Sequence, residues 1–383
     1  MPTSAGLLVF AVAVVVSLAA SWLLVSRLER LAERAGFSEA WLGLVAAFAA
    51  DAPEITSAVT ALVRGQTSVG AGVVIGSNVF NLAALLGLSA VVAGRIAFHR
   101  RVVVLGGVPG VWIAAVCLVT VAGVVRPGAG LVLAVIVLVP YGVLLGLRRA
   151  RLEGLRLPAR WRSWLVAAVH EEEAELTGAI RPEPGTWRDG LVAIAALATV
   201  VAASTVMEQA ATALGQRYAV PGVVTGGLVL AVVTSLPNAV SAVYLARRGR
   251  GAAVLSTALN SNAINIVGGL LIPASLTGLG PRSGQGMLVA GWYAGLTVLA
   301  LAFAYRGGGL SRPPGMLIIV GYLGFVVALA VSVAAGGAVS EPVIVLPATV
   351  IAVAAAVLLV LPQAGRPSRC PPVSGKVSDR GSS

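Results

Sequence analysis

The stretch GLVAAFAADAPEITSAVTAL, residues 43–62, decides the fold. It is an apolar run interrupted by Asp51, Pro53 and Glu54. Similar runs occur throughout the chain, and a helix of about 20 apolar residues crosses a hydrocarbon core of roughly 30 Å. Hydrophobic residues make up 58% of the 383 residues, and the mean hydropathy is +0.94. These values exclude a water-soluble protein, so we expect an all-α polytopic membrane protein.

Eleven apolar runs are long enough to span a membrane as helices. Unbroken runs of this kind exclude a transmembrane β-barrel, because barrel strands alternate apolar and polar residues. Cys117 lies in an apolar run and Cys370 in a polar tail, so we expect free thiols rather than a disulfide framework. The predicted spans lie near residues 5–25, 40–62, 68–93, 102–124, 129–147, 190–213, 222–246, 252–275, 286–304, 315–335 and 343–362.

The net charge of +12 is explained by membrane topology better than by nucleic-acid binding. If the N-terminus is outside, 23 of the 27 Lys and Arg residues lie in cytoplasmic segments, leaving only Arg64, Arg126, Arg217 and Arg282 outside. The positive-inside rule therefore predicts an external N-terminus and a cytoplasmic C-terminus, and we expect a bacterial-type plasma membrane. No basic region precedes the first run, so we expect it to be retained rather than cleaved as a signal peptide.

The polar residues inside the spans repeat at a fixed distance along the chain. Pro53 and Pro237 are 184 residues apart. Matches at polar residues and proline are much harder to obtain by chance than matches at Ala, Val or Leu, so we infer an internal duplication. The same shift relates Gly43 to Gly227, Leu44 to Leu228, Ser57 to Ser241, Arg64 to Arg248, Gly65 to Gly249, Ser77 to Ser261, Asn78 to Asn262 and Asn81 to Asn265.

The shift carries the first five spans onto the next five. Because five is odd, the second half should be inverted relative to the first. The predicted organisation is a first inverted repeat at 1–147, a cytoplasmic linker at 148–189, a second inverted repeat at 190–335, an extra transmembrane helix at 336–362 and a disordered basic tail at 363–383. The most strongly repeated parts lie at about 43–87 and 227–271.

Two carboxylates lie near the middle of the second span. Asp51 and Glu54 flank a position where Pro53 removes a backbone hydrogen bond, and we expect the helix to break there and expose carbonyl oxygens. Pro237 should break the seventh span in the same way. Charged side chains at this depth are costly and indicate function by default.

Spans three and eight add hydroxyl and amide groups at a similar depth. Within each, a serine and an asparagine four residues apart share a helix face. The resulting shell contains only oxygen ligands, which suit hard cations such as Ca²⁺, whereas the missing histidine and cysteine ligands argue against zinc, copper and iron. These groups are Ser77, Asn78 and Asn81 in one half and Ser261, Asn262 and Asn265 in the other.

These motifs resemble those of the cation/Ca²⁺ exchanger superfamily, whose sodium/calcium exchangers carry two inverted α-repeats. The resemblance rests on residues 43–62 followed by GSNVFN (76–81), and on GLVLAVVTSLPNAVSAVYLA (227–246) followed by NSNAIN (260–265). It implies ten core helices around the ion sites and countertransport of Ca²⁺ against Na⁺ or H⁺. No permanently bound cofactor is implied, and the expected partners are the lipid bilayer and inorganic cations, with no nucleic acid and no protein partner inferred.

The family's functional positions can be carried over residue by residue. The chain departs from the pattern where Ala50 and Asp51 replace a common Thr-Ser pair, and where Asn238 and Asn265 replace acids. Both predicted acids therefore come from the first half. The predicted cation-binding set is Asp51, Glu54, Ser77, Asn81, Thr234, Ser235, Asn238, Ser261 and Asn265, with Asn78, Asn262 and Glu208 as candidates around it.

Several alternatives remain open from the sequence. Asp51 and Glu54 could form a structural hydrogen-bonded pair, Ser77 and Ser261 could serve close helix packing, and Glu208 could lie in water near the external end. An enzyme is not expected, because the chain lacks H-E-x-x-H and any midplane base beside a nucleophile. A Na⁺/H⁺ antiporter of the same fold that does not carry Ca²⁺, and a cation channel, are the rival functions.

Overall fold

The protein is a mostly helical integral membrane protein. The computed structural model describes residues 3–35, 45, 47–146, 152–154, 158–176 and 184–335. Within these ranges, nine helical stretches are long and apolar enough to cross a membrane. The predicted eleventh span and the basic tail lie outside the described residues, as does Gly43.

The first half contains the predicted runs as helices joined by short turns. The turn after the second helix contains Gly65 at φ +75°, a conformation that glycine adopts without steric cost. The elements are α1 (Thr3–Arg34), α2 (Ala52–Val63), α3 (Thr67–Asn81), π1 (Leu82–Leu88), α4 (Ser89–Ala93), β1 (Arg95–Ala97), α5 (Arg100–Val121), α6 (Pro127–Gly146) and α7 (Ala159–Leu176).

The second half repeats this pattern. Gly249 also has φ +75°. It corresponds to Gly65 by the 184-residue shift, which also relates Asn78 to Asn262. The elements are α8 (Trp187–Arg217), α9 (Gly222–Val224), π2 (Thr225–Leu230), α10 (Ala231–Arg247), α11 (Gly251–Ile264), π3 (Asn265–Leu271), α12 (Ile272–Thr277), α13 (Gly284–Gly307), β2 (Gly309–Ser311) and α14 (Arg312–Ala334).

Three of the membrane-crossing helices contain a π-helical segment. The stretches Thr67–Ala93, Gly222–Arg247 and Gly251–Thr277 are each continuous, with π1, π2 and π3 inside them. Such segments are rare and occur frequently at functional sites. π1 follows Asn81 directly and π3 begins at Asn265, so the irregular turns occur at the two equivalent asparagines.

The predicted helix break at Pro237 is wrong. α10 runs without interruption from Ala231 to Arg247, with Pro237 inside it. Proline removes one i→i−4 bond, and membrane helices tolerate that loss where neighbouring groups compensate. At Pro53 the helix does change, because Asp51 forms a one-residue turn and α2 starts at Ala52. Pro53 has no N–H to donate to the carbonyl of Ala49, which lies one turn earlier in the helical residues 47–50.

A short antiparallel sheet departs from the purely helical prediction. β1 pairs with β2 in the register Arg95↔Ser311, Ile96↔Leu310 and Ala97↔Gly309. These two segments are connections between helices, and their backbone groups satisfy one another where no helix provides partners. The sheet joins the two halves at one end of the bundle.

The connections gather at two opposite ends of the bundle. At the first, which we call the Arg64 end, Thr67 lies beside Gly280 and Arg282 donates to the carbonyl of Gly123 at 2.8 Å. The second, the Arg248 end, contains the sheet, with Gly251 against Ala97. The 27-residue helix Thr67–Ala93 connects the two ends, a distance of about 40 Å at 1.5 Å per residue.

The linker predicted at 148–189 contains α7. This helix packs against α5 and α6 through Leu165 and Val169, which contact the cluster that includes Leu105 and Tyr141. Arg101 at the start of α5 also donates to Glu171 at 2.8 Å. The part of the linker that the structure describes is therefore attached to the Arg248 end of the bundle.

Candidate functional site

The two carboxylates lie at the start of α2 and are completely buried. Asp51 and Glu54 each have 0% exposure. The Asp51 N–H donates to Ala47 at 2.9 Å, and its carbonyl accepts from Ile55 at 3.0 Å, so the turn at Asp51 stays close to helical geometry. Residues three apart project from one helix face, which aims both side chains in the same direction.

Helix α10 faces these carboxylates with two side chains from the other half. Asn238 donates its amide N–H to Asp51 Oδ1 at 2.8 Å. Ser235 donates its hydroxyl to Glu54 Oε1 in a short hydrogen bond. By the repeat, Asp51 corresponds to Ser235 and Glu54 to Asn238, so each residue contacts the counterpart of its neighbour.

Helix α11 and the start of π3 supply two further donors. Ser261 donates to Asp51 Oδ1 at 2.6 Å, and Asn265 donates to Glu54 Oε2 at 2.9 Å. A hydrogen bond to a charged group contributes roughly 1.5–3 kcal/mol, so these contacts stabilise buried carboxylates that would otherwise be very costly. Residues of the second half therefore hold both acids of the first half.

Four asparagines form a reciprocal network beside the carboxylates. Asn78 donates to the backbone carbonyl of Asn262 at 2.9 Å, and Asn262 donates to that of Asn78 at 3.2 Å. Asn81 donates to Asn262 Oδ1 at 3.1 Å, and Asn265 donates to Asn78 Oδ1 at 3.3 Å. Both pairs of bonds are related by exchange of the two halves, so the centre of the protein has a local twofold arrangement.

Three oxygen atoms in this cluster are buried and accept no hydrogen bond from any residue that the structure describes. They are Asp51 Oδ2, Asn81 Oδ1 and Asn265 Oδ1, which belong to residues with 0% exposure. A buried acceptor without a partner costs about 1–3 kcal/mol. Carboxylate and amide oxygens are preferred by hard cations, so this set of unpaired acceptors fits a metal ion such as Ca²⁺ or Na⁺.

The comparison with protein families agrees with this geometry. The family model described as sodium/calcium exchanger protein matches residues 5–149 and 190–331 of the chain. The protein belongs to the sodium/calcium exchanger family. The predicted membership of the cation/Ca²⁺ exchanger superfamily is thus confirmed. Proteins of this family and its structural neighbours are exchangers, which are transporters and not enzymes.

A curated relative supports the same family. The sodium/calcium exchanger MaX1 of Methanosarcina acetivorans is 26% identical over 154 residues. The aligned segment covers 39% of this exchanger and 43% of MaX1. The exchanger therefore matches less than half of that relative's length.

Two solved structures share the fold. The crystal structure of the H⁺/Ca²⁺ exchanger CAX has a TM-score of 0.67 at 15% identity, covering 92% of this exchanger and 87% of that chain. The sodium-calcium exchanger NCX_Mj, soaked with 2.5 mM Na⁺ and 10 mM Sr²⁺, has a TM-score of 0.55 at 20% identity. This match covers 86% of the exchanger and 99% of NCX_Mj.

The predicted site residues differ in how they contribute to the cluster. The structure joins the two acids to side chains of Ser235, Asn238, Ser261 and Asn265, and the four asparagines to one another. The hydroxyl of Ser77 donates to the Ala231 carbonyl at 3.4 Å, and that of Thr234 to the Leu230 carbonyl at 2.9 Å. Both are fully buried, and these hydrogen bonds go to the backbone. Glu208 lies outside the cluster and is bonded instead to Thr212.

Two contributors were not predicted from the sequence. Ser21 of α1 donates to the carbonyl of Ala49 at 3.1 Å, which is the acceptor that Pro53 leaves without an N–H partner. A proline in an apolar run implies such a free carbonyl, so a donor on a neighbouring helix could have been sought. Tyr293 of α13, 1% exposed, interacts with the side chain of Asn78. Nothing in its local sequence distinguishes it from a packing aromatic residue.

Proposed function

We propose that the protein is a secondary active antiporter that exchanges Ca²⁺ for Na⁺ or H⁺ by alternating access at the buried cluster. The observation that carries this proposal is the set of unpaired buried oxygens on Asp51, Asn81 and Asn265, next to two carboxylates. Two ionised carboxylates balance the charge of one divalent cation. The family membership and the exchange reactions named for CAX and NCX_Mj support the same function.

We further propose that the two halves are inverted-topology repeats. Arg64 lies three residues before Thr67, which is at the Arg64 end. Its counterpart Arg248 lies three residues before Gly251, which is at the opposite end. The reciprocal bonds between Asn78 and Asn262 support an axis that relates the halves through the cluster. Inverted repeats with the substrate at their interface are common in transporters that work by alternating access.

The coupling between Ca²⁺ and the competing cations follows from the charge of the two carboxylates. With Ca²⁺ bound, the two carboxylates are neutralised, so protons or Na⁺ have to leave. An empty, dry site with both acids ionised would be destabilised by several kcal/mol, because buried charges lose hydration without compensation. The protein therefore changes conformation readily only with one of the competing cations bound.

The helix pair α1–α8 is the proposed moving element. Its members are joined along their length, by Ser17 and Ser204 at 2.7 Å and by Arg27 and Asp189 at 2.9 Å. The backbone N–H of Gly185 also donates to the carbonyl of Arg30 at 2.8 Å. Such a pair can shift against the rest of the bundle as one body and open the site to either side.

The experiment that tests this function uses the purified protein in liposomes. Entry of Ca²⁺ is measured under a driving gradient of Na⁺ alone, and separately under a pH gradient alone. We expect one of the two gradients to drive Ca²⁺ against its own gradient. Glu33→Gln, which removes an acid from the end of α1 outside the cluster, serves as the matched control for site variants.

Two other outcomes of the liposome experiment would assign a different function to the protein. Na⁺-driven proton movement without Ca²⁺ flux would identify a Na⁺/H⁺ antiporter and contradict Ca²⁺ exchange. Electrical currents far above transporter turnover would identify a channel. Both results would overturn the proposal, and the second would also remove the need for alternating access.

A further inference from the structure

A third acid, Glu208, lies buried within the membrane-crossing part of α8, away from the central carboxylates. Its exposure is 0%. Thr212, one turn further along the helix, donates to Glu208 Oε1 at 2.9 Å. The other oxygen, Oε2, is buried and has no hydrogen-bond partner within the described part of the chain. An ionisable group at such depth is costly and indicates a function unless another role accounts for it.

The position of Glu208 is fixed by the contact between α8 and α2. The hydroxyls of Thr205 and Thr60 lie 3.3 Å apart. Both helices continue from there towards the Arg64 end, where Gly222, just after α8, lies against Ser68. Glu208 is one turn beyond Thr205, which brings it level with the end of α2.

Polar side chains recur along α2 between the central cluster and the Arg64 end. Glu54, Ser57 and Thr60 follow one another at three-residue spacing. Glu54 bonds to Ser235 and Asn265, whereas the hydroxyl of Thr60 lies 3.3 Å from that of Thr205 on α8. Ser57, between them, is fully buried, and its hydroxyl has no hydrogen-bond partner among the described residues. Polar groups of α2 therefore extend from the cluster to the contact with α8.

The charged surroundings of Glu208 are simple. Arg64, at the exposed end of α2, interacts with it electrostatically. The outer part of α1, from residue 3 to residue 26, has no ionisable side chain, and neither does π2. On α8 itself, the next charged residue towards the Arg64 end is Arg217.

These surroundings suit a proton rather than a metal ion. One carboxylate and one hydroxyl, which already donates to it, provide far fewer than the 6–8 oxygens that Ca²⁺ takes. A proton needs only the unpaired Oε2.

We propose that Glu208 is a proton-binding site, separate from the cation cluster, that responds to the pH at the Arg64 end. The carboxylate takes one proton from water on Oε2 and returns it to water when the pH rises. Protonation removes the attraction between Glu208 and Arg64, and so weakens the contact of the moving helix α8 with the end of α2. The effect on transport rests on the proposed exchange, whereas protonation itself does not.

Infrared difference spectroscopy tests the protonation directly. The purified full-length protein, without Ca²⁺, is titrated with acid, and the carbonyl band of protonated carboxyl groups is compared between the native protein and Glu208→Gln. We expect part of this band to be lost in Glu208→Gln and retained in Glu33→Gln. An unchanged band in Glu208→Gln, with a melting temperature close to that of the native protein, would overturn the proposal.

Transport provides the second readout. In liposomes with the Arg64 end outward, the exchange rate of the native protein should vary with external pH. Glu208→Gln should lose the part of this pH dependence that is due to Glu208, while it binds Ca²⁺ with unchanged affinity. Glu208→Asp, which keeps a carboxyl group, should retain the pH dependence. Equal pH dependence in Glu208→Gln and native protein would contradict the proposal. If no cation is exchanged at all, the proposed function fails, and the infrared titration still decides the protonation of Glu208.

Discussion

At the scale of single residues, the site combines acids from one half with amides from the other. Asn238 and Asn265 present N–H groups to Asp51 and Glu54, which stabilises the two carboxylates. Rotation of a side-chain amide by 180° exchanges the positions of its oxygen and its NH₂ group. We expect Asn238 to turn its oxygen to a bound cation, beside the oxygen of Asn265 that already has no hydrogen-bond partner among the described residues.

Glu54→Gln is the most direct test of this shell. Glutamine keeps the shape of the side chain but removes one negative charge, and its amide N–H would oppose one of the donors Ser235 and Asn265. Loss of about 3 kcal/mol of binding energy corresponds to roughly 100-fold weaker Ca²⁺ binding. Calorimetric titration with Ca²⁺ and flux in liposomes measure this effect, with Glu33→Gln as control. Near-native flux in Glu54→Gln would remove Glu54 from the site.

At the scale of helices, the sequence predicts the membrane-crossing elements and the cluster better than their local irregularities. Hydropathy locates the helices, because each needs about 20 apolar residues. The 184-residue shift relates Asn78 to Asn262 in the sequence, and the folded chain joins the same two residues by hydrogen bonds. Of the predicted second span, 40–62, the structure describes residues 45 and 47–62, which are helical apart from the turn at Asp51.

The π segments and the course of the helix at Pro237 could not be predicted. A π turn depends on how side chains of neighbouring helices fit, and LAALLGL, the sequence of π1, is equally compatible with a regular helix. The effect of Pro237 depends on whether neighbouring helices hold α10 together, which is also a tertiary property. The role of Ser21 is hidden for the same reason, since its acceptor lies on another helix.

Close packing of α3 against π2 gives a prediction at this scale. A Cβ atom on Gly76 would lie 2.3 Å from the backbone oxygen of Gly227, which cannot move without shifting the helix. We expect Gly76→Ala to destabilise the protein by about 1–3 kcal/mol, as overpacking does, although alanine is the better helix former. The matched control is Gly142→Ala, because nothing lies within 4 Å of a Cβ at Gly142.

Thermal unfolding in detergent measures both variants. Gly76→Ala should melt at a lower temperature than the native protein, and Gly142→Ala at the same or a higher temperature. If both variants melted like the native protein, the close approach of α3 and π2 would be wrong.

At the scale of the whole molecule, charge and the proposed symmetry together predict the orientation in the membrane. Arg64, Arg126 and Arg282 lie near the Arg64 end, whereas the sheet and the basic residues around it lie at the other end. The positive-inside rule then favours a cytoplasmic Arg248 end. Because the 184-residue shift relates Arg64 to Arg248, the proposed inversion would place these two residues on opposite sides of the membrane.

Single cysteines at these two positions test the inversion. Both arginines are exposed, and the only cysteines in the sequence are Cys117, which is buried, and Cys370. In a Cys370→Ser background, we expect a membrane-impermeant thiol reagent to label Arg64→Cys in intact cells and Arg248→Cys only in inside-out vesicles. Labelling of both variants from the same side would contradict inverted repeats, because an even number of crossings would then separate two equivalent turns. The central cluster would in that case need another explanation for its reciprocal hydrogen bonds.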